Sequence, residues 1–291
     1  MKILLTGCNG QLGHELKREL APLGEVIACD RARLDLADAD ALCATVRRVA
    51  PAIIINAAAW TAVDAAETDH ATAFAINTVA PGILAEEAKR LGAVLIHYST
   101  DYVFDGAKST PYTEDDLPAP LSVYGASKLA GEQAIAAVGC RHLILRTSWV
   151  FGTHGQNFMK TILRLARERD ALDVVADQFG APTWSRHLAV ATALLLAREE
   201  TPQGVHHLAA AGEASWHEYA QTLCAEAQKL GLLARTPEIR RITSADFSRP
   251  APRPANSRLD CSRLRHATGI ALPDWRTGLA DCLADMADAA P

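Results

Sequence analysis

No run in this chain of 291 residues approaches the roughly 20 consecutive apolar residues of a membrane-spanning helix, so no membrane partner is expected. A basic excess is missing too. The net charge is -5 and the Lys and Arg residues are dispersed, which removes the electrostatic footprint a nucleic-acid partner requires. The first residues do not form a charged region followed by an apolar segment and a cleavage site, and a cytoplasmic location is the expectation. The seven cysteines (Cys8, Cys29, Cys43, Cys140, Cys224, Cys261 and Cys282) are odd in number and scattered. They include no C-x-x-C pair and no histidine at ligand spacing, so they read as reduced thiols. No internal repeat or low-complexity segment is present. One stretch is compositionally odd, Ser248 to Asn256 (Ser-Arg-Pro-Ala-Pro-Arg-Pro-Ala-Asn). It is expected to be an ordered loop inside a second lobe, because helical pattern resumes at Ser262 and Trp275 follows.

What is present starts at the first residues. The apolar run Ile3-Leu4-Leu5 leads into Thr6-Gly7-Cys8-Asn9-Gly10-Gln11-Leu12-Gly13 and then a helical pattern at Leu16 and Leu20. Glycine at 7, 10 and 13 allows a tight turn, close approach of backbone to a pyrophosphate, and packing of the next helix on the strand. Further continuously apolar runs fall at 25–30, 52–56, 93–98 and 142–146, with helical stretches between them. Such runs suit strands covered on both faces by crossover helices. The expected fold is α/β: a Rossmann-type doubly wound parallel sheet with a smaller C-terminal α/β substrate lobe. Residues 1–150 form the NAD(P)-binding domain and 151–291 mainly the second lobe. Val174-Val175-Ala176 is expected to return to the nucleotide sheet within 172–183.

The second strand ends at Asp30, about 20 residues past the glycine loop, where a carboxylate accepts hydrogen bonds from the adenosine ribose and disfavours a 2′-phosphate. Arg31 and Arg33 follow, and guanidinium groups suit that phosphate. NAD and NADP therefore both stay open. Asp35-Leu36 can supply a carboxylate for the adenine amine with a backbone N–H beside it. Further on, Tyr124-Gly125-Ala126-Ser127-Lys128 puts phenol and ammonium on one helix face. A free tyrosine ionises near pH ~10, and a neighbouring cation favours its phenolate. Lys128 is thus expected to tune Tyr124. Ser99-Thr100-Asp101 ends an apolar strand, the end at which open α/β sheets place ligands.

These residues resemble the extended short-chain dehydrogenase/reductase superfamily through Thr-Gly-x-x-Gly-x-x-Gly at 6–13, Asn56-Ala57-Ala58-Ala59, Ser99-Thr100, and Tyr124 with Lys128. Longer strings narrow the likeness. His97 to Phe104, Val123 to Glu132, Arg146 to Val150, Asp177 to Thr183, Arg253 to Leu259 and Leu272 to Trp275 are similar to the dTDP-4-dehydrorhamnose reductase family, nearly end to end. The resemblance implies that NADPH, with NADH as an alternative, reduces C4 of dTDP-4-dehydro-L-rhamnose to dTDP-L-rhamnose. Tyr124 would donate the proton, Lys128 would hold the nicotinamide ribose, and Thr100 would hydrogen-bond the C4 oxygen. It also implies cofactor contacts at Gly10, Gln11, Leu12, Asp30, Asp35, Leu36 and Ala59-Trp60-Thr61, and sugar-nucleotide contacts at Thr100, Asp101 and Trp149.

Two departures stand out. Trp60 occupies a position where His is frequent, which leaves the local loop shape open. Some relatives dimerise around Mg²⁺ using an acidic residue matched by Glu15 and acidic residues after Gly-Ala-Pro-Thr. Here that segment reads Trp184-Ser185-Arg186-His187, a cation in place of hard oxygen ligands, with His187 the one remaining candidate. No metal is expected, and a monomer or a dimer without a metal bridge is. Two other readings remain: a reductase, epimerase or dehydratase on another nucleotide sugar, and a non-catalytic NADP-binding regulatory subunit like the beta subunit of methionine adenosyltransferase. Asp101-Tyr102, where dehydratases carry Asp-Glu, argues against a dehydratase.

Overall fold

The computed structural model describes residues 1–288. Six strands form one sheet: β1 (Lys2–Thr6), β2 (Glu25–Cys29), β3 (Ile53–Asn56), β4 (Val94–Thr100), β5 (Arg141–Thr147) and β6 (Gly204–His207). Their order is β6-β5-β4-β3-β1-β2, and all pairings are parallel. The order reverses between β1 and β3, which opens a crevice outside their carboxyl ends. The longer helices are α1 (Gln11–Glu19), α2 (Ala39–Val49), α3 (Ala80–Leu91), α4 (Val123–Val138), α5 (Phe158–Glu168), α6 (Ser185–Leu196), α7 (Trp216–Lys229) and α8 (Trp275–Asp288).

Side chains alternate across a strand, so β1 feeds two cores. Ile3 and Leu5 pack with Ile53, Ile55, Leu12 and Leu16 of α1, and Leu188 and Leu195 of α6. Leu4 points the other way, to Ile54, Leu95, Ile144, Leu42, Val46 and Leu84. Each such fully buried aliphatic side chain contributes roughly 1.5–3 kcal/mol. A third core builds the second lobe from Met159, Ile162, Tyr219, Leu223, Trp275 and Leu279.

One strand lies elsewhere than the sequence suggested. Ala171–Val175 does not return to the nucleotide sheet; it pairs in parallel with Glu238–Ile242 in a separate two-stranded sheet. A continuous apolar run specifies burial between layers but not the sheet that accepts it. The open edge beside β5 is taken instead by β6, which follows α6. Two elements beyond residue 150 therefore serve the nucleotide sheet. The Pro-rich segment 248–256 is ordered, but it bridges the lobes rather than lying inside one. Arg253 reaches Asp64 in the short helix Val63–Ala66 at 2.7 Å, while Phe179 N–H donates to the Ala255 carbonyl at 2.8 Å.

Candidate active site

A cavity of about 800 Å³ occupies the crevice. Gly7, Gly10, Gln11 and Leu12 line it from the first turn, and Asp30, Arg31, Asp35 and Leu36 from the end of β2. Ala57, Ala58, Ala59, Trp60 and Thr61 line it after β3, and Tyr124 and Lys128 from α4. Gly13 stands behind the loop. A Cβ there would sit 2.1 Å from the Gly7 carbonyl oxygen, and one at Gly7, whose φ is +70°, 2.7 Å from Ala58. Gly10 caps α1 without a side-chain bond, leaving first-turn N–H groups and the positive helix end for an anion. Three buried polar atoms on this cavity, Ser99 Oγ, Thr147 Oγ1 and Trp60 Nε1, have no partner among the described residues. These features fit a dinucleotide.

The two arginines separate. Arg31 lines the cavity and its Nε donates to Asp35 Oδ2 at 3.3 Å, whereas Arg33 turns back to the Ala28 carbonyl at 3.5 Å. The Ala37 N–H, and then Arg31, hold the Asp35 carboxyl below its usual range. Asp30 shapes the loop, accepting from Arg33 N at 3.0 Å and Asn9 Nδ2 at 3.1 Å. The loop at Trp60 is fixed through its backbone: Trp60 N–H donates to Asn77 Oδ1 at 2.9 Å, and Asn77 Nδ2 to the Trp60 carbonyl at 3.0 Å. Asn77 also donates to Ser127 Oγ on α4 at 3.0 Å, so it ties the loop to the Tyr124 helix. It sits in a π-helical turn, Ala75–Val79, which carries no signature in the sequence.

Ser122 caps α4 by accepting from Gly125 N–H at 3.1 Å, and the buried Glu132 clasps Arg146 of β5 at 2.9 and 2.6 Å. Between these anchors lie Tyr124 and Lys128. The Lys128 ammonium donates to the Tyr98 carbonyl at 2.7 Å and lies 3.2 Å from His97 Nε2. Behind it, His97 Nδ1 meets Asn56 Nδ2 at 3.1 Å. Burial brings Lys128 down to about 8 and holds His97 well below its usual value. Tyr124 is half-buried, and desolvation pushes its phenol up to about 12, against hydrogen bonding with Thr100. The pull toward the phenolate comes from Thr100 and not, as expected, from Lys128, whose charge is directed into the strand. Thr100 donates to Asp101 Oδ1 at 2.9 Å. Burial raises the Asp101 carboxyl to about 6, opposed by hydrogen bonds from Ser257 and Thr100.

A second cavity, about 760 Å³, is lined by Tyr102, Phe158, Gln178, Trp216, Arg249 and Arg253 among others. Tyr102 links the two, its ring edge-on to Tyr124 at 5.6 Å. Trp149 does not offer both faces. Its φ is +47°, and Trp216 stacks on it at 3.4 Å between ring centroids, so Trp216 is the indole lining the cavity. Trp216 and Arg249 escape sequence reasoning, and the place of Arg253 at the site does too, because no short motif contains both cavity walls.

The residues matched to the relatives' metal site do not fit a divalent ion. Glu15 is buried and accepts from Arg186 Nε at 3.2 Å, while the other end of that guanidinium pairs with Asp285. Two carboxylates thus share one internal cation. His187 packs on Trp184, and burial lowers it. Among the described residues no group of three His, Cys, Asp or Glu could hold a metal, and no helix is long and apolar enough to cross a membrane.

Residues 1–288 match the family model described as the RmlD substrate binding domain. The chain is 47% identical to a dTDP-4-dehydrorhamnose reductase of Burkholderia thailandensis, covering 98% of this chain and 99% of that one. It is 42% identical to a probable dTDP-4,6-dihydroxy-2-methyloxan-3-one 4-ketoreductase of Streptomyces antibioticus, over 98% and 96%. The crystal structure of dTDP-4-dehydrorhamnose reductase from Bacillus anthracis in complex with NADP superposes with TM-score 0.92 at 35% identity, covering 98% and 99%.

Proposed function

The chain belongs to the dTDP-4-dehydrorhamnose reductase family, and from that membership we propose that it reduces the C4 ketone of dTDP-4-dehydro-β-L-rhamnose to dTDP-L-rhamnose. It is an NAD(P)-dependent oxidoreductase of Rossmann-type fold. The observation that carries the site assignment is the position of Tyr124, on the dinucleotide cavity and in edge contact with Tyr102 of the second cavity.

NADPH, when bound, supplies the hydride to C4. The C4 oxygen then needs a proton, and Tyr124 gives it: a phenol pushed up to about 12 is fully protonated at neutral pH. Lys128, still charged below about 8, is aimed by Tyr98 and His97, leaving an N–H for the cofactor ribose. Thr100 lies beside Tyr124; its hydroxyl donates to Asp101 in the structure, and turning that one proton from Asp101 to the carbonyl oxygen would let it fix the substrate. Gln11 and Leu12 hold the pyrophosphate, and Arg31 with Asp35 the adenosine end. Asp101 contacts the sugar nucleotide, and Trp149 acts on it through the Trp216 ring stacked against it. We place the enzyme in the cytoplasm, as a monomer or as a dimer without a metal bridge.

The test is turnover. Purified protein with NADPH and the dTDP-keto sugar is expected to consume NADPH absorbance and yield dTDP-rhamnose by mass spectrometry. Binding of NADPH without consumption, across several dTDP-keto sugars, would indicate a regulatory subunit and overturn the reading. The Streptomyces relative favours a second substrate class, another dTDP-keto sugar, and the same panel decides it.

A further inference from the structure

Two arginines of the strap 248–256 face the second cavity, and their surroundings differ. Arg253 is committed to the protein. Its Nη1 donates to Asp64 Oδ1 at 2.7 Å and to the Ala251 carbonyl at 2.6 Å, and its Nη2 to Asp64 Oδ2 at 3.0 Å. The same guanidinium lies beside the Tyr102 phenol, and its charge acts on it. Arg249, by contrast, makes no hydrogen bond among the described residues. Its side chain is 49% exposed, it comes no nearer to Asp64 than 3.8 Å, and its guanidinium lies over the Phe247 ring at 4.4 Å. Asp64, which already accepts from Arg253 on both oxygens, carries a single negative charge against two guanidinium groups, so it cannot neutralise both. The strap therefore presents one uncompensated cation to the cavity.

The rest of the cavity suits the same kind of ligand. At about 760 Å³ it lies within the range of small-molecule sites. Phe158 and Trp216, 4.6 Å apart by ring centroid, put aromatic surface on the cavity wall, and Asp173 is the one carboxylate among the lining residues. A planar guanidinium with free N–H donors is the side chain best matched to phosphate oxygens. We propose that Arg249 takes the diphosphate of the nucleotide sugar, and that Arg253, anchored by Asp64, is a positioning residue that holds the strap and Tyr102 against Tyr124. The assignment rests on the reductase reading above and adds to it which residue recognises the diphosphate.

The experiment compares dTDP with thymidine by calorimetry on the full chain. Wild type is expected to prefer dTDP, and Arg249→Ala to cut that preference about ten- to hundred-fold, the range of a charge-assisted contact. Arg249→Lys should restore part of it. NADPH titration of each variant reports that the fold is intact. Asp64→Asn, which loosens the strap without removing a cation, should lower kcat several-fold while the dTDP-to-thymidine ratio stays high. A ratio unchanged in Arg249→Ala, or one that collapses equally in Asp64→Asn, overturns the assignment and leaves the reductase reading standing. Wild type that binds neither ligand overturns both.

Discussion

The two cavities meet at Tyr124 and Tyr102 but are built in opposite ways. The dinucleotide cavity is made of short contiguous stretches, 7–12, 30–36 and 57–61, each at the carboxyl end of a neighbouring strand of one sheet. Side chains contribute little to its shape there; backbone and small residues do. The second cavity draws Tyr102, Phe158, Trp216 and Arg249 from four separate segments, and its walls are large side chains held by stacking and by the Arg253–Asp64 ion pair. A site made of strand ends inherits its geometry from the sheet, whereas a site made of scattered side chains depends on how two lobes close on each other.

Four tests probe that contrast, beginning with Tyr124, which lines the dinucleotide cavity and touches Tyr102 of the other. Tyr124→Phe is expected to reduce kcat by about 10²–10⁴ with NADPH affinity within a few-fold, since a proton donor acts in the transition state and not on ground-state cofactor binding. Near-normal turnover would remove Tyr124 from the chemistry. Asp101, beside it, should reveal the cost of a carboxyl buried where the lobes meet. Its folded value of about 6 lies above the ordinary 3.8. Its protonated form therefore stabilises the fold below about pH 4, and that contribution is lost as pH rises through 6. Asp101→Asn should accordingly gain up to about 3 kcal/mol over wild type at pH 8 and little at pH 4, measured by urea unfolding. An equal gain at both values would sink this account.

The dinucleotide side has a milder test. Arg31→Ala should weaken NADPH about tenfold and spare NADH, because NADH lacks the 2′-phosphate, while Arg33→Ala should change neither. Equal losses for both cofactors would make Arg31 a solvated surface charge. The smallest expected effect is none: sedimentation should be the same with excess Mg²⁺ and with chelator, since Arg186 already bridges Glu15 and Asp285. A dimer that forms with the ion and dissociates without it would contradict this.

By itself the sequence determined five of the six strands of the main sheet, the glycine turn, and the helix that carries Tyr124 and Lys128. These rest on local rules, apolar runs and residue spacing, which act within a few residues of chain. It also marked Arg186 as a cation where the family resemblance implied acids. Only the tertiary structure decided that Ala171–Val175 pairs with Glu238–Ile242 while Gly204–His207 completes the main sheet. It alone revealed that Lys128 leans on His97, that Asn77 clamps the Trp60 loop, and that Trp216 covers Trp149. Asp285, 270 residues beyond Glu15 in number, joins the Arg186 pair only once α1, α6 and α8 have packed. The reason is common to all of these. A hydrogen bond or stacked ring needs a partner at a few ångströms, and when that partner lies far along the chain no spacing rule encodes it; the packing of the lobes does.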